Sequence, residues 1–284
     1  MGDTAVPSGQ DPYAFVADRA EEERRLVAQA RLVEPLTEDL LREAGLGPGM
    51  RVVDLGSGAG DVAILAARLV GPSGSVLGLE RSPEQTAMAR KRVADLGLTN
   101  VVFQEADVAA LAGILAAQPE PVDAVIGRLI LMWVPDRMAV LRACADGLPP
   151  GALVWFGEAD LMYDFAVPSP PLWTRVRGWF IETVERLEAE LRMGPNLHRA
   201  FRHAGLPPPE LRGRTLMAGP QAAPVWFWVN AVRALLPVMT QFGVAGADEV
   251  DLPTLEGRLA GELAEHDAIM LLPPMTAAWA HIPG

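Results

Sequence analysis

Short β-branched segments alternate with helical segments through the first half of the chain, and this alternation restricts the fold more than any other feature. Five segments have the length and composition of strands: 51–55, 75–80, 101–105, 123–127 and 152–157. The intervening segments have helical patterns, and Ser82 and Asp136 are suitable N-caps for two of these helices. Strands separated by helices form βαβ units with parallel strands. The sequence therefore predicts an α/β fold with a Rossmann-like, doubly wound, mostly parallel sheet.

The segments on either side of this region have a different character. Residues 1–16 are polar and rich in Gly, Pro and Asp, whereas residues 17–44 carry apolar side chains at helical spacing. Later patterns predict a long helix at 172–192 and further strands at 211–218 and 270–281. The predicted organisation has three parts: a loose tail (1–16), N-terminal helices with the parallel sheet (17–160), and a helical cap with the last strands of the sheet (161–284).

The charge balance and the hydropathy exclude several classes of protein. The 284 residues include 24 basic and 36 acidic side chains, which give a formal net charge of −12. Binding to nucleic acid over a wide surface needs clustered Lys and Arg, so no nucleic-acid partner is expected. No apolar run reaches the roughly 18 residues of a membrane span, and no signal-peptide pattern is visible. We therefore expect no membrane partner and a cytoplasmic location, which the single cysteine also fits.

A glycine-rich turn between the first strand and its helix carries the chemical signal. The segment Val52–Asp61 (VVDLGSGAGD) contains Gly56, Gly58 and Gly60. Glycines allow a tight turn and close approach to a ligand, and the following helix N-terminus offers free N–H groups. Glu80 ends the next strand, where an acidic side chain accepts hydrogen bonds from both ribose hydroxyls. The pattern predicts a ligand that contains a nucleoside.

Two details of this turn argue against NAD. The glycine spacing is G-x-G-x-G, whereas the dinucleotide fingerprint is G-x-G-x-x-G. Asp54 and Asp61 flank the turn, and their carboxylates would repel a pyrophosphate. A ligand with a cationic sulfonium and an α-amino group would be attracted instead.

These residues resemble four motifs of the class I S-adenosylmethionine-dependent methyltransferases, in the same order along the chain. Residues 54–60 are similar to the first motif, and Glu80 matches the ribose-binding acid. Asp107 matches the residue whose side chain contacts the adenine amino group. Val108 matches the next residue, whose backbone N–H contacts the adenine ring. Residues 123–128 match the fourth-strand motif beside the methionine part. The wider pattern is similar to actinobacterial small-molecule methyltransferases.

The resemblance implies a cofactor, S-adenosylmethionine, with S-adenosylhomocysteine as product, and a set of cofactor-binding residues. Arg128 is a lone charge in an apolar run, and the cofactor carboxylate would be its partner. Asp107 is also a favourable N-cap, and the two roles are compatible. Arg25 and Gln29 share a helix face that either closes over the cofactor or is simply solvated. The predicted cofactor-binding residues are Asp54, Gly56, Gly58, Gly60, Glu80, Arg81, Asp107, Val108, Arg128, Arg25 and Gln29.

Catalytic and substrate residues are less constrained by the sequence. Glu158 follows the fifth strand at the sheet edge that binds ligands, and His198 lies on a later helix, so both are candidate bases. A surface or helix-capping role is the alternative for His198. Five aromatic residues are candidates for the substrate pocket, with a core position as the alternative: Trp133, Tyr163, Trp173, Trp179 and Trp226. No metal site is predicted, because Gly127 and Arg128 stand where related families place a metal-binding carboxylate.

The predicted function is methyl transfer to an O, N or C nucleophile of a small, fairly apolar molecule. The cofactor is assigned to residues 17–160 and the acceptor to residues 161–284. One alternative is an S-adenosylmethionine-binding enzyme of this fold that catalyses cyclisation or rearrangement. Others are an NAD-dependent oxidoreductase and a non-catalytic binding protein. A homodimer is left open, because helical caps and N-terminal helices in similar proteins often sit at subunit contacts.

Overall fold

The computed structural model describes residues 32–284, which form two compact units along the chain. The first, named here the sheet unit, comprises residues 32–163, 188–216 and 272–284. The second, the helical unit, comprises residues 164–187 and 217–271. The two units are therefore interleaved in sequence, and each one is assembled from separate segments.

The strands and helices follow each other in a regular order up to residue 159. The strands are β1 (Arg51–Leu55), β2 (Ser75–Glu80), β3 (Val101–Glu105), β4 (Ala124–Arg128), β5 (Leu153–Ala159), β6 (Ala166–Val167), β7 (Glu210–Arg214), β8 (Met217–Ala218), β9 (Ile269–Leu271) and β10 (Met275–His281). The helices are α1 (32–43), α2 (Asp61–Val70), α3 (Pro83–Asp95), α4 (Leu111–Ala116), α5 (Arg137–Gly147), α6 (Pro171–Arg186), α7 (Met193–His203), α8 (Trp226–Gln241), α9 (Ala247–Val250) and α10 (Leu252–Glu265).

The sheet unit is built on a seven-stranded sheet in the order β3-β2-β1-β4-β5-β10-β7. Strands β1 to β5 are parallel, and β10 runs antiparallel to both β5 and β7. The predicted fold class is confirmed. The strand order reverses at β1, so the carboxyl ends of β1 and β4 border the switch point at which such sheets bind ligands.

The core of the sheet unit explains why the glycine-rich turn is held firmly. Helix α2 is apolar on nearly every face, and eight of its ten residues are buried. Leu40 and Leu41 of α1 belong to the same core cluster and are fully buried. Burial of one such side chain contributes about 1.5–3 kcal/mol, so α2 and the turn before it are strongly anchored.

The helical unit combines α6, α8, α9 and α10 with a small sheet in the order β6-β9-β8. Its core is aromatic: the ring of Trp228 stacks on Phe165 with 3.5 Å between centroids. The indole N–H of Trp173 donates to the carbonyl of Leu259 at 3.0 Å and so joins α6 to α10. Among residues 32–284, no helix has the length and apolar character that a bilayer crossing requires.

Three elements differ from the sequence prediction. The expected strand at 211–218 is divided into β7 and β8, which belong to different sheets. The expected strand at 270–281 is interrupted by Pro273 and Pro274, which have no N–H for a ladder, so β9 and β10 also separate. Helix α6 ends at Arg186 instead of continuing to residue 192, and Glu188 then adopts a left-handed conformation with φ 61°. The predicted tail and residues 17–31 lie outside the described part of the chain.

Candidate functional site

The turn between β1 and α2 uses backbone conformations that favour glycine. Gly56, Gly58 and Gly60 have φ values of 63°, 52° and 88°. A methyl group built on Gly56 would lie 2.8 Å from Cγ1 of Ile130, whereas one built on Gly58 would meet no atom of residues 32–284 within 4 Å. Gly60 is the N-cap of α2 and gives it no side-chain cap. The turn therefore combines a tightly packed side at Gly56 with an open side at Gly58, next to a helix N-terminus that favours negative charge.

Glu80 lies beside this turn, at the end of β2. Its Oε2 accepts a hydrogen bond from the N–H of Gly58 at 2.8 Å, and its Oε1 accepts one from the N–H of Ser82 at 2.8 Å. Each carboxylate oxygen has a second lone pair. Glu80 can consequently hold the turn in place and still accept hydrogen bonds from a ligand.

Asp54, the penultimate residue of β1, is a buried carboxyl group with a free acceptor. It is 1% exposed, and its Oδ2 has no hydrogen-bond partner among the described residues. Burial raises the pKa of Asp54 to about 8, and the nearby carboxylates of Glu80 and Asp61 add to the rise, while Arg128 opposes it. A cationic ligand would favour the ionised form and supply the missing partner.

Arg128 ends β4 and faces the opposite electrostatic situation. Burial lowers the pKa of its guanidinium, and the carboxylates of Asp61, Asp54 and Glu34 act in the other direction. One terminal nitrogen donates to Oγ1 of Thr37, on α1, at 3.0 Å. The sequence did not reveal Thr37, because only the folded structure brings α1 to the end of β4.

The residues predicted to meet the adenine lie after β3. Oδ1 of Asp107 accepts a hydrogen bond from the N–H of Ala109 at 2.8 Å and caps the short 3₁₀ turn Val108–Ala110. The predicted N-cap role is thus confirmed, and the side chain is exposed. Arg81 is also exposed, directly after Glu80. The adenine contacts of Asp107 and Val108 stay predictions.

Ser57 is a further polar residue of the turn that the sequence reasoning passed over. Its side chain is buried, and Oγ has no hydrogen-bond partner among the described residues. Its N–H donates to the carbonyl of Leu79 at 2.9 Å, which ties the turn to β2. The position of Ser57 between Gly56 and Gly58 is the sequence feature that could have identified it as a site residue.

Glu158, near the end of β5, is fully buried, with 0% exposure. Its Oε1 accepts hydrogen bonds from the N–H groups of Ile130 at 3.0 Å and Leu131 at 2.7 Å. Burial raises the pKa of Glu158 to about 8, while the N–H groups of residues 130–132 and the charge of Arg137 oppose the rise. The carboxyl group thus binds the chain that leaves β4. The other candidate base, His198 on α7, is exposed.

The predicted substrate residues fall into both units. Trp173 and Trp179 are core residues of the helical unit, at 1% and 6% exposure, and Trp226 is half-buried there. Trp133 and Tyr163 are half-buried residues of the sheet unit. The pocket role of these five aromatic residues stays a prediction. Arg25 and Gln29 lie outside the described residues.

The parallel sheet, with an acidic glycine-rich turn at its switch point, has the architecture of a class I S-adenosylmethionine-dependent methyltransferase. A sequence profile of the family described as "Methyltransferase domain" matches residues 46–191, which is just over half of the chain. The chain belongs to this family, whose cofactor is S-adenosylmethionine.

Two curated relatives are similar to part of this chain. A trans-aconitate 2-methyltransferase of Methylobacterium nodulans is 37% identical over 142 residues, which are 49% of this chain and 49% of that protein. An arsenite methyltransferase of Halobacterium salinarum is 37% identical over 111 residues, which are 39% of this chain and 27% of that protein. The chain spans half or less of the length of these relatives.

A solved structure extends the likeness of fold beyond this region. The structure of a putative methyltransferase from Bacillus halodurans C-125 matches 87% of this chain and 98% of its own, with a TM-score of 0.54. Sequence identity over that match is 14%, so the likeness concerns the fold alone.

Proposed function

We propose that this protein transfers a methyl group from S-adenosylmethionine to an O, N or C nucleophile of a small acceptor. The observation that carries the proposal is the acidic cluster around the glycine-rich turn, where Glu80 binds the N–H of Gly58 and Asp54 keeps an unpartnered buried oxygen. Such a site repels a pyrophosphate and suits a cationic nucleoside ligand. When bound, S-adenosylmethionine supplies a methyl group activated by its positive sulfonium.

The described residues fit the parts of this cofactor. Glu80 has lone pairs available for the ribose hydroxyls, and Asp107 and Val108 are assigned to the adenine. Asp54 and Arg128 lie near the ends of adjacent strands, where the ammonium of a methionine would favour the ionised form of Asp54 and its carboxylate would suit Arg128. The open space at Gly58 leaves room for close approach of the ligand to the backbone.

The acceptor is proposed only as a class. By their names, the two curated relatives act on trans-aconitate and arsenite, which share no reacting group, so the family does not define the acceptor. Because the sulfonium is intrinsically reactive, the main tasks of the protein are to align donor and acceptor and to exclude water. His198 is retained as a predicted base for acceptors whose pKa is high.

Calorimetric titration with S-adenosylmethionine and with NAD tests the cofactor. We expect micromolar binding of S-adenosylmethionine, no saturable binding of NAD, and a roughly 100-fold weaker affinity in Glu80→Ala, equivalent to about 2.7 kcal/mol. Glu105→Ala is the matched control, because Glu105 is the neighbour of Glu80 on β3 and pairs with Arg90 at 3.3 Å. The affinity of Glu105→Ala for S-adenosylmethionine should stay within about twofold of that of the parent protein.

Two results would overturn the proposal. Equal affinity for NAD and S-adenosylmethionine would indicate a dinucleotide-binding site instead. Unchanged affinity for S-adenosylmethionine in Glu80→Ala would show that Glu80 does not bind the ribose as proposed. With the cofactor bound, incubation with a panel of small acceptors should yield a product heavier by one methylene unit, together with S-adenosylhomocysteine. Rearranged or cyclised products with unconsumed cofactor would instead indicate the non-methylating alternative.

A further inference from the structure

The carboxyl group of Glu158 joins two segments that are far apart in sequence. It comes from β5, yet it accepts hydrogen bonds from the N–H groups of Ile130 and Leu131, 28 and 27 residues earlier. Both donors share one oxygen, Oε1, and the residue is fully buried. A buried N–H group that loses its acceptor is costly, so this oxygen fixes the conformation of the chain after β4.

The chain after β4 needs such an anchor, because it turns through an uncommon conformation. Leu129 has φ 55°, in the left-handed region that non-glycine residues rarely occupy. Its N–H donates to the carbonyl of Gly157 at 2.8 Å, and the 3₁₀ turn Leu131–Trp133 follows at once. The surrounding hydrogen bonds to β5 therefore offset the strain at Leu129.

This turn places the side chain of Ile130 against the glycine-rich turn between β1 and α2. A methyl group built on Gly56 would lie 2.8 Å from Cγ1 of Ile130, and one built on Gly127 would lie 2.8 Å from its Cγ2. Ile130 thus occupies the space that side chains on β4 and on the turn would otherwise fill. Its backbone N–H is the group that Glu158 holds, which links the carboxyl of β5 to the turn after β1 through one residue.

We propose that Glu158 is a positioning residue for cofactor binding, which acts by fixing Ile130 against the glycine-rich turn. This inference rests on the proposed function, because it concerns the same cofactor site. The role proposed for Glu158 is not proton transfer. Its carboxyl group fixes the backbone after β4, and the turn that this backbone forms shapes the cofactor site. Glu158 would thus act on the cofactor only indirectly, through Ile130 and Gly56.

Three variants measured by calorimetric titration with S-adenosylmethionine test this chain of contacts. Glu158→Gln keeps an acceptor oxygen for both N–H groups and should bind within about threefold of the parent protein. Glu158→Met removes the acceptor and should bind about 20-fold more weakly. Ile130→Ala leaves Glu158 in place and should bind about fivefold more weakly. The double variant of Glu158→Met and Ile130→Ala should lose much less than the product of the two single losses, because both changes act on one contact.

A buried polar group outside the site controls for general destabilisation. Thr183 is fully buried in the helical unit and donates to the carbonyl of Trp179 at 2.7 Å. Thr183→Val should lower the unfolding temperature and leave cofactor affinity unchanged. If Glu158→Met is not folded by circular dichroism, Ile130→Ala and Glu158→Gln still decide the matter.

The outcomes separate this inference from the proposed function. A parent protein that does not bind S-adenosylmethionine would refute the proposed function. A parent protein that binds, with Ile130→Ala equal to it in affinity or with independent losses in the double variant, would refute the role of Glu158 alone. Loss of binding in Glu158→Gln equal to that in Glu158→Met would also refute it, because the acceptor oxygen would then not be the important feature.

Discussion

Asp54 on β1 and Glu158 on β5 are two buried carboxyl groups near the carboxyl ends of strands in the same sheet. Burial raises both pKa values to about 8. Each has one oxygen without a hydrogen-bond partner among the described residues, Oδ2 of Asp54 and Oε2 of Glu158. Their surroundings nevertheless differ, because Oε1 of Glu158 accepts from two backbone N–H groups of the chain after β4, whereas Asp54 lies among the charged groups of Arg128, Glu80 and Asp61. A shifted pKa or an unpartnered oxygen therefore does not separate the two, and only the neighbouring groups distinguish a carboxyl that supports the backbone from one placed among charges that would meet a ligand.

The largest effect on cofactor affinity that would test this contrast is expected from Asp54→Asn. The amide is close in shape to the neutral acid but cannot balance a cation, so affinity for S-adenosylmethionine should fall about 30-fold, or about 2 kcal/mol. Folding stability near pH 8 should be unchanged or higher, because the variant never buries a negative charge. Titration calorimetry and thermal unfolding measure the two quantities. Equal affinity in the variant and the parent protein would show that the charge of Asp54 does not contribute to cofactor binding.

The pH dependence of stability tests the same pair of groups in the ligand-free protein. The unfolded chain releases the two protons near pH 4, whereas the folded chain retains them up to about pH 8. Between these values the folded state binds more protons, so the free energy of unfolding should fall as the pH rises. We expect a fall of a few kcal/mol from pH 5 to pH 8 in the ligand-free protein, about half of which disappears in Asp54→Asn. Urea unfolding at stepped pH values measures this fall, and a flat profile would contradict the raised pKa values of the two buried groups.

The smallest effect is expected at Asp107, an exposed carboxylate that serves as a reference for the buried pair. Asp107→Ala removes the cap of the Val108–Ala110 turn and should cost no more than about 1 kcal/mol of stability. Its assigned contact with the adenine amino group should add a loss of about threefold in cofactor affinity. Fluorescence titration and thermal unfolding check both values. A loss as large as that in Asp54→Asn would show that exposure is a poor guide to importance in this site.

Local signals predicted much of the sheet unit. The predicted bounds of β1, β2 and β3 agree with the structure, because β-branched residues and the glycines that end such segments determine structure over a short range. The cap at Ser82 is confirmed by a 3.2 Å hydrogen bond from the N–H of Gln85. Asp136 likewise caps α5 through the N–H of Ala139.

Features that depend on distant parts of the chain could not be predicted in this way. Nothing in the neighbourhood of Glu158 indicates that its acceptor oxygen serves residues 130 and 131. The division of 211–218 between two sheets is decided by the pairing of β10 and β9, which lie more than 50 residues later. For Trp173, the composition fits a core position as well as a pocket, and only the bond to Leu259 places it in the core of its unit.

The interleaving of the two units has a consequence for recombination between relatives. The helical unit consists of residues 164–187 and 217–271, and the chain returns to the sheet unit between them. A single crossover between residues 187 and 217 would therefore join part of one aromatic core to part of another. A chimera that keeps Phe165 and Trp228 as a stacked pair needs both segments from the same parent. Variation in this unit is thus expected to be inherited as a block, whereas the cofactor motifs of residues 52–128 can be exchanged in one piece.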